Sequence, residues 1–121
     1  MSIDPRLEIG VQLFNQQAYF EAHEALEKVW LETTDEEIKS FLKGLIQAAV
    51  ALHHLQHDNQ NGARKVCQTA IQYLEPYQPQ HLGLNVRSLM SSLSTYVGID
   101  APKEKGAHQP TDVPLPKMSA S

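Results

Sequence analysis

Apolar positions recur at helical spacing along most of the chain. Asp4 followed by Pro5 reads as an N-cap with proline in the first turn, where its missing N–H is not needed. In the stretch RLEIGVQLFNQ, Leu7, Val11 and Phe14 fall at steps of four and three, which predicts a first helix that Gly10 weakens. Residues 15–18 read as a tight turn. A second helix is predicted over YFEAHEALEKVWLE, where Tyr19, Phe20, Leu26 and Trp30 share one broad stripe at about 100° per residue. The run TTDEE ends it and opens the next, since acids at a helix N-terminus suit the dipole there. The third helix, EEIKSFLKGLIQAAVALHHLQHD, is the longest and most apolar and is expected at the centre.

Residues 59–62 read as a turn. A fourth helix, ARKVCQTAIQYLEPY, places Val66, Ala70, Tyr73 and Leu74 on one side and ends at Pro76 and Pro79. A weaker fifth, NVRSLMSSLSTYV, carries Val86, Leu89, Met90, Leu93 and Val97, with Asn85 as its cap. No strand-type alternation is convincing, and no internal repeat is seen. The expected fold is all-α, a small bundle of about five helices. Few residues join the second and third helices, so these should form an antiparallel hairpin.

From Gly98 the texture changes. GIDAPKEKGAHQPTDVPLPKMSAS carries four of the seven prolines and few large apolar residues. It reads as a disordered tail, or as a strap that orders only on a partner. The expected organisation is a helical domain over residues 1–97 and a Pro-containing flexible tail over 98–121.

Composition narrows the class. A chain of 121 residues with 41% hydrophobic and 20% charged residues fits one soluble domain able to bury a core. A net charge of -4, with no run of Lys or Arg, gives no overall attraction to nucleic acid or to an anionic membrane, so neither is expected as a partner. Cys67 is the single cysteine, which rules out an intrachain disulfide and suits a reducing compartment. The N-terminus MSIDPRLEIG lacks the apolar core of a signal peptide, and GLIQAAVAL is far short of a bilayer span. A cytoplasmic location is the expectation.

The chemistry concentrates in YFEAHEALEKVW. Glu21, Glu24, Glu27 and the neighbouring Glu32 crowd around His23. A metalloprotease helix needs two histidines four apart, and Glu27 stands where the second would be. A di-iron bundle needs Glu-x-x-His pairs, whereas Phe20, Val50 and Ala51 precede His23, His53 and His54 by three. A His and a carboxylate at i and i+4 could still hold a divalent metal in principle, without a complete ligand motif.

Helical angle sorts the acids. Glu27 and Trp30 lie within about 40° of His23 and Phe20 within about 60°, while Glu24 is lateral and Glu21 on the far side. His23 and Glu27 therefore point with the large apolar residues and are expected to face the core. There they would need partners. Gln47 of the third helix is the expected one, on a face shared with Gly44, Ala51 and His54. A hairpin turning near residues 33 and 34 would set His23 opposite Gly44, and His54 near Leu13 or Phe14. Beside these stand plainer readings: a structural hydrogen-bonded pair for His23 and Glu27, a core anchor for Trp30, a small core residue for Cys67. For His53 and His57 the plain reading is a helix end whose dipole favours imidazolium. His81 and His108 suggest nothing.

FNQQAYFEAHEALEKVW, FLKGLIQAAVALHHLQHDNQNGARKV and HLGLNVRSLMSSL together resemble the domain-of-unknown-function three-hundred-and-nine family of small all-helical proteins, over residues 5 to 97. By this resemblance Asn15, Glu21, His23, Glu24, Glu27, Trp30, Gly44, Gln47 and His54 match signature positions. Gln17 stands where a turn glycine is common. The resemblance implies a helical bundle and a shared polar site, and no reaction.

Two functions follow. The first is a non-enzymatic binding or interaction domain, engaging a second copy or another protein, with Glu21, His23, Glu27, Trp30, Gln47 and His54 as its site. The second is a metal-dependent or acid/base enzyme acting on a small molecule. Its candidate catalytic groups are His23, Glu24 and Glu27, and its candidate metal ligands His23 and Glu27.

Overall fold

A computed structural model describes residues 3–98 and 115–121. Among them the backbone forms α1 (Glu8–Asn15), α2 (Tyr19–Glu32), α3 (Glu36–Gln56), α4 (Gln60–Leu74) and α5 (Val86–Val97). A short antiparallel hairpin, β1 (Gln80–His81) and β2 (Leu84–Asn85), precedes α5. Apart from α2, which follows Ala18 with no side-chain cap, the helices start where short polar side chains can take orphan N–H groups of the first turn. Asp4 accepts from the Arg6 N–H at 2.9 Å and opens a 3-10 turn over Pro5–Leu7 that leads into α1. Asp35, Asn59 and Asn85 accept from the N–H groups of Ile38, Gly62 and Ser88 in the same way.

The expected five-helix bundle is what forms, and α2 has the span its pattern predicts. Residues 33–35 alone separate α2 from α3, and 57–59 alone separate α3 from α4, so consecutive helices lie side by side. The most extensive packing is α3 against α4, then α2 against α3, then α1 against α2. Helix α3 is the axis of this arrangement. Its Phe41, Leu42, Gly44, Leu45, Ile46, Ala48, Ala49, Ala51 and Leu52 are all buried. On α4 the buried stripe is Ala63, Cys67, Ala70 and Leu74, while Tyr73, expected on that side, is exposed. Cys67 is the small core residue expected, and burial pushes its thiol up to about 12.

The small residues of α3 serve α4, not α2. A Cβ placed on Gly44 would lie 2.8 Å from Leu74 Cγ and 3.1 Å from Tyr73 Cβ. Leu74 is itself fully buried, so it has nowhere to move. The expectation that Gly44 faces the second helix is thus corrected. Gly10 does the corresponding work between α1 and α2, where an added Cβ would meet Leu26 Cγ at 2.6 Å. A glycine that weakens a helix locally here lets a neighbouring side chain seat on its backbone.

The hairpin departs from the expectation that no strand occurs. Two residues per strand leave no alternation to read. The turn is Leu82 and Gly83, both at positive φ (49° and 84°), the geometry that suits the twist of a two-residue hairpin. Gln17 also adopts a positive φ of 66° between α1 and α2. That is the glycine-like conformation its position implies, at a cost of roughly 1–2 kcal/mol for an L-residue. Most of the expected flexible tail, 99–114, lies outside the described residues. Its last seven residues pack on the domain itself, with Met118 buried to 1% exposure.

Alanine is the better helix former by about 1 kcal/mol, but overpacking a filled core costs about 1–3 kcal/mol. Gly44→Ala is therefore expected to lower stability by roughly 1 kcal/mol net. Chemical denaturation at equilibrium measures this, and a stabilised variant would contradict the close approach.

Candidate functional site: an open face between two helices

Helix α2 buries Tyr19, Ala22 and Leu26. At about 100° per residue that stripe centres roughly 70° away from His23. His23 and its stripe mates therefore look sideways. His23 keeps 27% of its side-chain surface exposed and Glu27 52%, with His23 Nε2 3.7 Å from Glu27 Oε2. The pair is not the inward-facing lock that angle alone suggested. Size and hydrophobicity would turn Phe20 and Trp30 into the core, yet both keep contact with solvent. Phe20 is 49% exposed and Trp30 is half-buried.

What α2 presents sideways is a row, Phe20, His23, Glu27 and Trp30, laid against the edge of α3. At one end Phe20, His23, Val50 and His53 line an open hollow of about 280 Å³. The Phe20 ring lies 5.7 Å from the His53 ring and 6.2 Å from that of His23. At the other end the Lys39 ammonium sits 4.0 Å from the centre of the Trp30 ring, and that of Lys43 sits 5.6 Å away. These contacts stabilise the cations over the ring face and hold the indole in place. Trp30, Lys39, Ser40, Lys43, Glu36 and Tyr73 line a second hollow there.

These contacts also correct the register. His23 lies beside Val50 and His53 instead of opposite Gly44. Gln47 is half-buried, and no hydrogen bond joins it to His23 or Glu27. His54 does not reach for the first helix through a hydrogen bond. Its Nδ1 accepts from Asn59 Nδ2 at 3.3 Å, within the turn that starts α4. Glu21 and Glu24 are exposed.

The helix-end reading of His53 and His57, with imidazolium favoured by the dipole, is corrected for His53. His57 Nδ1–H donates to the His53 carbonyl at 3.0 Å, and the two rings lie 4.4 Å apart. His53 is held below the ordinary imidazole range of 6.5 by lost water contact first, then by His57, His54 and His23, against the opposing pull of Glu21. The available signal was spacing: His53 and His57 are four apart and share a face. As for metal, His23 and Glu27 could supply two ligands of a four-coordinate site. No third ligand joins them, since no group of three His, Cys, Asp or Glu stands within metal-binding reach among the described residues.

Residues 7–66, which carry this face apart from Tyr73, match the family described as Domain of unknown function (DUF309). This region of the chain belongs to that family. It is 32% identical over 85 residues to an uncharacterized protein of Aquifex aeolicus, covering 70% of this chain and 26% of that one. It is 37% identical over 65 residues to the uncharacterized protein YpuF of Bacillus subtilis, covering 54% of this chain and 37% of that one. The chain thus spans about a quarter and a little over a third of these relatives. In both, a domain of this kind is one part of a longer protein.

An exposed ion pair contributes about 0–1 kcal/mol, so His23→Ala should change unfolding free energy by no more than about 1 kcal/mol. A loss of several kcal/mol would restore the buried-lock reading. His53 gives a pH dependence of known sign. With its folded value lowered, the unfolded chain binds the proton first, so acid favours unfolding. Wild-type stability should therefore fall as pH drops through 6.5 and below, and fall less in His53→Gln. Denaturation curves at several pH values check this, and equal pH slopes would refute it.

Proposed function

We propose that this DUF309 domain is a non-enzymatic binding module whose α2–α3 face seats a protein partner. One observation carries the reading. Phe20 is half exposed at the centre of an apolar hollow, and Trp30 is held in place one row along by two lysines. Fixed, partly exposed aromatic rings bordered by charge are the usual anchors of protein interfaces. Glu21 and Glu24 on one side and Lys39 and Lys43 on the other would set the orientation of a partner. That the two relatives carry this region within longer chains is in keeping with a module that brings a protein to its place of work. Among the described residues no helix is long and apolar enough to cross a membrane. We also propose a cytoplasmic location, a reading supported by the single, free cysteine, Cys67.

A photo-crosslinking side chain introduced at position 20, in the cells the protein comes from, tests this. Ile9, exposed to 66% on α1 and away from the α2–α3 face, is the control position. A discrete crosslinked product from position 20, absent from position 9 and lost on Trp30→Ala, is the expected result. Equal labelling at both positions, or none at position 20, would contradict the proposal.

A further inference from the structure

The signature residue Asn15 takes no part in the α2–α3 face. It sits half-buried at the end of α1 and grips the main chain of Met118 from both sides. Asn15 Nδ2 donates to the Met118 carbonyl at 2.9 Å, and the Met118 N–H donates to Asn15 Oδ1 at 2.8 Å. Lys117 Nζ donates to the Asn15 carbonyl at 2.7 Å. The hairpin then takes over. The Asn85 N–H donates to the Ser119 carbonyl and the Ser121 N–H to the Gly83 carbonyl, both at 2.9 Å, and Ala120 bridges Leu84. The Met118 side chain is buried to 1% between them, while Ser119 and Ala120 are exposed.

An extended segment is thus held by its backbone along a strand edge, with Pro116 and Met118 buried against the domain. This is how proteins bind peptides by strand addition: main-chain bonds hold, and the side-chain pocket selects. Residues 99–114 separate this segment from α5, and their greatest possible span is on the order of 55 Å.

We propose that the groove between Asn15 and β2 is a peptide-recognition site, with residues 115–121 as its resident ligand. Its partner is an extended segment of another protein with the same chemistry: a basic residue, an unbranched apolar one, then small residues. The chain's own segment competes at the effective concentration a tether provides, roughly millimolar, and so sets a threshold the partner must exceed. This inference stands apart from the α2–α3 face and survives if that reading fails.

The test uses the full-length chain carrying Met118→Asp, which removes the apolar anchor of the resident segment, with a labelled synthetic peptide of residues 115–121 as probe. The peptide should bind this variant at least about tenfold more tightly than it binds wild type, by fluorescence anisotropy. Adding Asn15→Ala should weaken that binding by about tenfold, through loss of the two main-chain hydrogen bonds. Should Met118→Asp fail to fold, hydrogen exchange on wild type decides. The N–H groups of Asn85, Met118 and Ser121 should exchange through an opening that leaves the α3 amides protected. A folded variant that does not bind the peptide, or exchange of those amides only together with α3, would overturn the proposal.

Discussion

The bundle depends on how closely α4 approaches α3. Gly44 leaves a gap on the α3 surface, and Leu74, fully buried, fills it. Because protein interiors are close-packed, that single approach fixes the height and rotation of both helices. With one side of α3 committed to α4 and its small alanines buried, α2 can pack only along the remaining edge. The sideways row of α2 then meets the polar edge of α3, where Lys39, Lys43, Val50 and His53 lie. The open face is thus a consequence of where the glycine stands.

This geometry explains why polar signature residues sit where water reaches them. His23 and Glu27 in a sealed interface would each need a partner, and an unpaired buried charge is among the costliest features a core can hold. Among the described residues the core holds no charged side chain, and its buried polar exception is the Tyr19 hydroxyl. The domain keeps its core apolar and places its histidines, carboxylates and lysines around half-exposed aromatic rings. Those rings have apolar area to offer and fixed positions to offer it from.

The helices were legible in the sequence through apolar spacing, helped where a capping residue agreed with it, as at Asp35 with Ile38 and at Asn85 with Ser88. The direction of α2 was not. Phe20 and Trp30 carry large apolar surfaces, and a reading by hydrophobicity turns them inward. Which side a helix buries is set by the small residues that let it pack, here Ala22 on α2 and Gly10 on α1. The pairing of His23 with Gln47 failed for a related reason, since a helical wheel does not specify the slide of one helix along another. The strap over Asn15 was unreadable as well. Its bonds are to main chain, 103 positions away, and main-chain bonding leaves almost no mark in sequence.

The central claim is that the Phe20 side of α2 faces solvent while the Phe14 and Phe41 rings form the core. Hydroxyl-radical footprinting of the full-length chain, read residue by residue, measures this directly. The account predicts that Phe20 is oxidised many times faster than Phe14 or Phe41, both fully buried. Protection of Phe20 to the level of Phe14 in the monomer would contradict it, and would return His23 and Glu27 to the interior of the bundle.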